Sequence, residues 1–225
     1  MNKAIVVGIT GASGAAYAVR LVEVLLAAGR DVHLSISPSG REVIRQELDL
    51  SVDLGDFNPD HLLLGSARGG NALAEITEVS TGDSNVLGSG VVRRGKLHYH
   101  HHQNFLSSVA SGSFLTGGMV VCPCSGTTLS AIAAGAAGNL IQRAAEVHLK
   151  ERRKLVLVPR ETPLSLPAID NMRRAAEAGA ILLPASPGWY HGVSGVKDLI
   201  DFVVSRILDQ LDIENGLMKR WGDAN

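Results

Sequence analysis

The chain opens with an apolar run, then a loop of glycines and small residues, then an amphipathic helix, and that order admits few folds. Residues 3–9 read as a strand. Ala18, Leu21, Val22 and Leu25 then recur at helical spacing until Gly29 closes the helix, and a second strand follows over residues 32–37. A strand, helix and strand within about 35 residues form a βαβ unit, which requires parallel strands and sets a ligand crevice at their carboxyl ends. Apolar runs return at residues 119–122, 155–158 and 180–183, each flanked by helical periodicity. Runs of this kind fit strands buried on both faces, so the expected fold class is α/β with a parallel sheet. A last helix is expected over residues 196–211, with Val196, Leu199, Ile200, Val203 and Ile207 as its core stripe.

With 225 residues, 45% of them hydrophobic and 19% charged, the chain is long enough for one domain with a sizeable core, expected to span residues 1–225. The stretch 50–102 is rich in Gly, Ser, Asn and charge, with weak strand candidates at 76–79 and 90–93. It reads as an irregular excursion of that domain with room for a hairpin. A formal net charge of −1 leaves no footprint for nucleic acid or an anionic membrane, so small molecules and other subunits are the expected partners. Cys122 and Cys124 flank Pro123, too close for an ordinary disulfide and too few for structural zinc. They read as small buried hydrophobes in a reducing compartment. No signal segment or membrane-length apolar run is present, and the expected location is cytoplasmic.

Four segments can carry chemistry. In the first loop, Gly8, Gly11 and Gly14 are spaced G-x-x-G-x-x-G, not the G-x-G-x-x-G of dinucleotide binders. The second strand ends in Ser37-Pro38-Ser39, where a nicotinamide site needs an acid for the ribose. Hydroxyls there suit a phosphate or a flavin, and Ser13 lies at a helix start that favours an anion. A second strand-to-helix loop, Cys122-Pro123-Cys124-Ser125-Gly126-Thr127-Thr128, repeats the pattern, with Ser125 or Thr127 able to serve as a plain N-cap. Arg160 and Glu161 fall at a strand's carboxyl end between two prolines, whereas the charges of Lys150 to Lys154 also fit a basic helix end. Pro187-Gly188-Trp189-Tyr190-His191 supplies an aromatic pair for the rim of the core or the wall of a pocket. Arg206 lies on or beside the apolar stripe of the last helix and needs an anionic partner, a carboxylate or a bound phosphate. His98 to His102 lack a nearby carboxylate or cysteine and read as a solvated loop, not a metal site.

Taken in order, GITGASGAAY, ASGSF, CPCSGTTLSAIAAG, NLIQRAAEVHLKERRKLVLVPRETPL and PASPGWYH resemble the UbiX/Pad family of flavin prenyltransferases over residues 1–49 and about 104–225. The resemblance implies a flavodoxin-like, Rossmann-related, doubly wound sheet in three αβα layers, bound FMN, and a dodecamer with its sites at subunit interfaces. It also implies transfer of a dimethylallyl group from dimethylallyl phosphate to N5 and C6 of reduced FMN, giving the prenylated FMN used by UbiD-type decarboxylases. Carried over by position, Gly11, Ala12, Ser13, Ser37, Ser125, Gly126, Thr127, Thr128 and Arg160 match FMN contacts. Lys150, Arg160, Glu161, Tyr190 and Arg206 match the set around the prenyl phosphate, with Glu47 as an acid/base residue. Phe105 stands where the family often has tryptophan, and Trp221 matches its C-terminal tryptophan.

Ionising an allylic phosphate puts positive charge on carbon and negative charge on the leaving group, so aromatic faces and fixed cations suit the chemistry. The Asp-rich magnesium motifs of pyrophosphate-using prenyltransferases are absent from the sequence, and no metal is expected. Two other readings share the fold. An oxidative cysteine decarboxylase of this type needs a catalytic histidine after the second strand, where this chain has Pro38-Ser39-Gly40-Arg41; a non-catalytic FMN carrier needs only the cradle.

Overall fold

The computed structural model describes residues 3–63, 94–220 and 222. The strand candidates at 76–79 and 90–93, and Trp221, lie outside them. In chain order the regular elements are β1 (Ile5–Ile9), α1 (Ala15–Ala27), β2 (Val32–Ile36), α2 (Pro38–Leu48), β3 (Leu97–Tyr99), β4 (Gly118–Cys124), α3 (Gly126–Ala134), α4 (Leu140–Lys150), β5 (Leu155–Pro159), α5 (Leu166–Glu177), β6 (Ile181–Leu182) and α6 (Val196–Gln210). The six strands among the described residues are all parallel, in the order β3-β2-β1-β4-β5-β6. The chain reverses its direction of travel across the sheet between β1 and β4, and open α/β sheets bind ligands at the carboxyl edge of such a switch point.

Alternate residues of the central strands feed two cores. Ile5, Val7, Ile9, Leu34, Val120 and Val156 join α1, α2 and α6 on one face. Val6, Met119, Val121 and Leu157 join α3, α4 and α5 on the other. Gly8 lets α4 approach closely, since a Cβ there would lie 2.6 Å from Ile141 Cγ2. Between α1 and α6 sits a buried ion pair: Arg20 Nε donates to Asp201 Oδ1 at 2.7 Å and Arg20 Nη2 to Oδ2 at 3.2 Å, with both side chains at most 3% exposed. Lys197 reaches the same carboxylate from the surface side.

The excursion rejoins the sheet as β3, a parallel edge strand against β2, so a hairpin does not form in its described portion. Nor are the histidines that follow simply solvated. His33 stacks on His98 and His100 at 4.9 and 5.1 Å between ring centroids, and its Nδ1 lies 2.8 Å from His100 Nε2. Phe114 sits edge-on to His33, and Ser107 Oγ meets His100 Nδ1 at 2.9 Å. Burial, then His100 and His98, push His33 down from 6.5 to about 4 against an opposing pull from Asp31; burial and His98 lower His100 as well.

An unfolded chain would protonate these rings first. Their contribution to stability is therefore complete above pH 6.5 and is lost as pH falls toward about 4. His33→Gln, which cannot charge, is expected to flatten the acid limb of a plot of denaturation midpoint against pH. An unchanged slope would mean that the stack does not contribute to it.

Candidate active site

The first loop is built by Thr10 and Gly14. Thr10 is buried; its hydroxyl donates to the Pro123 carbonyl at 2.7 Å and accepts from Ser125 N at 2.8 Å, joining the loops that leave β1 and β4. Gly14, with φ of 120°, turns the chain into α1 through a conformation that side chains resist. Gly11 packs so closely on Ser39 that a Cβ there has no room. Glu47, reaching across from α2, accepts from Gly14 N at 2.9 and 3.1 Å and from Ala15 N at 2.8 Å. Its carboxylate thus caps α1, where the helix dipole favours negative charge.

Two further expected residues act as caps. Ser37 Oγ accepts from Gly40 N at 3.0 Å at the start of α2. Ser125 Oγ accepts from Thr128 N at 3.3 Å at the start of α3 and lies 3.1 Å from the Thr128 hydroxyl. At α2 and α3 capping does not compete with anion binding, because a helix start presents several amides and each serine takes only one. The exposed turn at Gly126 and Thr127 lies between Ser125 and Thr128. Arg160, leaving β5, donates through Nε to the Ser13 carbonyl at 3.3 Å, so a cation stands against the first loop. A Cβ on Gly126 would lie 3.3 Å from Glu161 Oε2, which puts that carboxylate beside the second.

Tyr17 shares this crevice, its ring 3.0 Å from where a Gly14 Cβ would stand. Burial raises its phenol, with Cys122 and Glu47 adding to the effect and Arg160 opposing it. Cys122 and Cys124 are buried beneath the second loop as unpaired thiols, and burial pushes Cys124 up to about 12. They are packing groups, as their sequence suggests.

The other expected residues stand elsewhere on the molecule. Lys150 ends α4 at the amino edge of the sheet, pairs with Glu151 and lies beside Gly112. Arg160 is at the carboxyl edge, beyond the five residues of β5, roughly 13 Å of strand. Phe105 is half-exposed in the turn beyond β3, at the opposite flank from β6. Arg206 projects from the middle of α6 onto a cavity of about 270 Å³ lined by Ile181, Leu182, Pro184, Phe202 and Gln210. Its anionic partner is Asp209, at 2.9 Å. Tyr190, also exposed, rests edge-on against Phe202 at 5.8 Å. One chain therefore gathers Gly11, Ala12, Ser13, Glu47, Ser125, Gly126, Thr127, Thr128, Arg160 and Glu161 around the switch point, with Ser37 at the end of neighbouring β2. Tyr190 and Arg206 lie on the β6 flank, and Lys150 and Phe105 are apart from both groups.

A parallel sheet whose switch point carries two linked helix starts, one capped by a carboxylate and one by a hydroxyl, with a flanking arginine, is the architecture of a mononucleotide-binding protein of the flavoprotein class. Sequence comparison agrees: the Flavoprotein family profile matches residues 1–208. The flavin prenyltransferase UbiX of Halalkalibacterium halodurans is 42% identical over 217 residues, covering 96% of this chain and 92% of its own. Among solved structures, AnUbiX (PadA1) in complex with FMN and dimethylallyl pyrophosphate superposes with a TM-score of 0.77 at 34% identity, with full coverage of both chains. A dodecameric FMN-dependent UbiX-like decarboxylase from Escherichia coli O157:H7 gives 0.73 at 33% identity, covering 96% of this chain and 98% of that one. The chain belongs to the UbiX family of flavin prenyltransferases.

No helix among the described residues is long and apolar enough to cross a membrane, and none of their His, Cys, Asp or Glu side chains form a group of three suited to a metal ion.

Proposed function

We propose that the chain binds reduced FMN at the switch point and transfers a dimethylallyl group to it from a dimethylallyl phosphate ester, the product serving a UbiD-type decarboxylase. The observation that carries this reading is the Thr10 link between two capped loops with Arg160 at their side. The donor set fits the group: amides at helix starts and small hydroxyls suit a phosphate monoester, and the glycines admit its close approach. When bound, reduced FMN supplies the nucleophilic N5 and the ring carbon C6.

The chain's own residues have separable tasks. The Ser13 hydroxyl orients the flavin edge, while Gly11, Ala12, Ser125, Gly126, Thr127 and Thr128 hold the ring and phosphate. Ser37, at the end of β2, completes that wall. Arg160, Arg206 and Lys150 offset the charge that grows on the departing phosphate, with Tyr190 donating a hydrogen bond and Glu161 belonging to the same set. Phe105 and Trp221 supply faces for the allylic carbon. Glu47 holds the first loop through the α1 amides, and from that position its carboxylate can relay the proton released at C6 to the departed phosphate.

Because Lys150, Phe105 and Arg206 stand on different flanks, the complete set requires neighbouring copies, which fits a homo-oligomer such as the dodecamer. Glu47→Ala strands the amides of Gly14 and Ala15 and is expected to cost about 1–2 kcal/mol of stability. It should also weaken FMN binding in a fluorescence titration.

The deciding experiment is to reduce the FMN-loaded protein anaerobically, add dimethylallyl phosphate and weigh the flavin. A gain of one isoprenyl unit supports prenyl transfer. Unchanged flavin mass would leave a carrier. Ser37 to Arg41 hold no histidine to serve a cysteine decarboxylase.

A further inference from the structure

Tyr190 stands in the irregular segment between β6 and α6, more than half exposed, and a loop by itself does not hold a hydrogen-bond donor to the tolerance that catalysis needs. The structure ties that segment to α6 through two rings. Tyr190 packs edge-on against Phe202, with centroids 5.8 Å apart and planes at 85°. It meets His191 edge-on as well, at 6.0 Å and 84°. His191 and Phe202 lie stacked at 5.2 Å and 29°, so the tyrosine abuts two rings that face nearly the same way. Aromatic rings favour such edge contacts over a face-to-face sandwich, which constrains the plane of the Tyr190 ring.

Gly188 closes the arrangement from the backbone side, since a Cβ there would stand 3.0 Å from Phe202 Cε2 and Cζ and 3.0 Å from Tyr190 Cε1. His191 Nε2 lies 3.2 Å from the Asp198 carbonyl; a carbonyl only accepts, so Nε2 carries the proton and donates. Asp198 belongs to the first turn of α6, and its carboxylate accepts from Ser194 N at 2.7 Å, Ser194 Oγ at 2.8 Å and Gly195 N at 3.0 Å. Both rings beneath Tyr190 are therefore fixed to the helix, Phe202 through its own backbone and His191 through Asp198. Arg206 follows Phe202 by one helical turn, and the two line the same cavity beside β6.

We propose that Phe202 is a positioning residue which, with His191, sets the plane of the Tyr190 ring and so aims its hydroxyl at the phosphate of the prenyl donor. This rests on the reading that Tyr190 donates a hydrogen bond to that phosphate. The hydroxyl and the Arg206 guanidinium are then referred to one rigid element, α6, and a shift of the loop does not change the one without the other. A double-mutant cycle separates aim from packing. Phe202→Leu keeps an apolar side chain in the cavity wall and removes the ring. Its rate of flavin prenylation at saturating donor is expected to fall about fivefold. FMN affinity should stay at the parental value, because the switch-point loops lie elsewhere. In the Tyr190→Phe background, which has no hydroxyl to aim, Phe202→Leu is expected to leave the rate at that of Tyr190→Phe alone.

A ring that merely packs would lower the rate by the same factor in both backgrounds. Equal factors, FMN affinity falling together with the rate, or a parental rate in Phe202→Leu would each overturn the inference. Should Phe202→Leu not fold, His191→Gln takes its place, since it keeps a side-chain N–H for the Asp198 carbonyl and removes the ring; the same outcomes then support or overturn. Tyr190→Phe alone separates the two levels. If it prenylates at the parental rate, the hydroxyl reading fails and takes this inference with it. If it is impaired while Phe202→Leu matches the parent, only the inference fails.

Discussion

Asp201→Ala is expected to lower folding stability by about 3–5 kcal/mol, because it leaves the Arg20 guanidinium charged and unpaired between α1 and α6. The side chains involved are almost wholly excluded from water, and Arg20 Nη1 has no hydrogen-bond partner among the described residues even with Asp201 present. Lys197, closer to solvent, can turn outward and recover its hydration; Arg20 cannot without parting the helices. The measurement is a urea midpoint at constant slope, since a changed slope would report a different unfolded or native state. Replacing Arg20 and Asp201 together by methionine and leucine should recover most of the loss, as paired removal leaves no stranded charge. A loss under about 1 kcal/mol in Asp201→Ala would show that Arg20 finds water, and that the two helices are less tightly joined than their burial implies.

Arg206→Ala is expected to leave FMN bound while reducing flavin prenylation by about 100-fold or more, the scale seen when a donor to developing negative charge is removed. FMN binding should persist because Arg206 lies on the β6 flank, away from the switch-point loops. Turnover should fall because breaking the carbon–oxygen bond of the donor builds charge on phosphate, which is the charge that the proposed role of Arg206 offsets. Tyr190→Phe, which removes one hydroxyl and keeps the ring against Phe202, should have the same sign and a smaller size. The test follows flavin mass against time under anaerobic reduction, with bound flavin measured by absorbance. Prenylation at the parental rate in either variant would remove that residue from the reaction.

How far the sequence carries can be judged residue by residue. The buried strands β1, β2, β4 and β5 are legible because a parallel sheet covered on both faces must be apolar on both, and such runs stand out. Strand β3 is not, since Leu97-His98-Tyr99 lies at the edge, pairs on one side only and alternates a histidine into the face shared with His33. The caps at Ser37 and Ser125 follow from local chemistry. Glu47 does not: its partners, Gly14 and Ala15, are more than thirty residues away, and only the folded α2 brings them within reach. Thr10 is hidden for a similar reason, a single hydroxyl inside an apolar context whose value depends on the Pro123 carbonyl over a hundred residues later. Tyr17 carries no motif signal either, because helical spacing alone reads it as a core residue. The partner of Arg206 was open between a carboxylate and a phosphate. The structure supplies Asp209, three residues on, a pairing that α-helical geometry allows and sequence alone does not choose.

The scattering of Lys150, Phe105 and Arg206 over separate flanks has a consequence for mixed populations. If each reaction centre borrows groups from different copies, two inactive variants can repair one another. Lys150→Ala and Arg206→Ala, each silent when pure, should regain part of the parental rate when unfolded together and reassembled, since some centres then receive an intact lysine from one parent and an intact arginine from the other. Mixtures that stay silent at every ratio would mean that each chain completes its own centre.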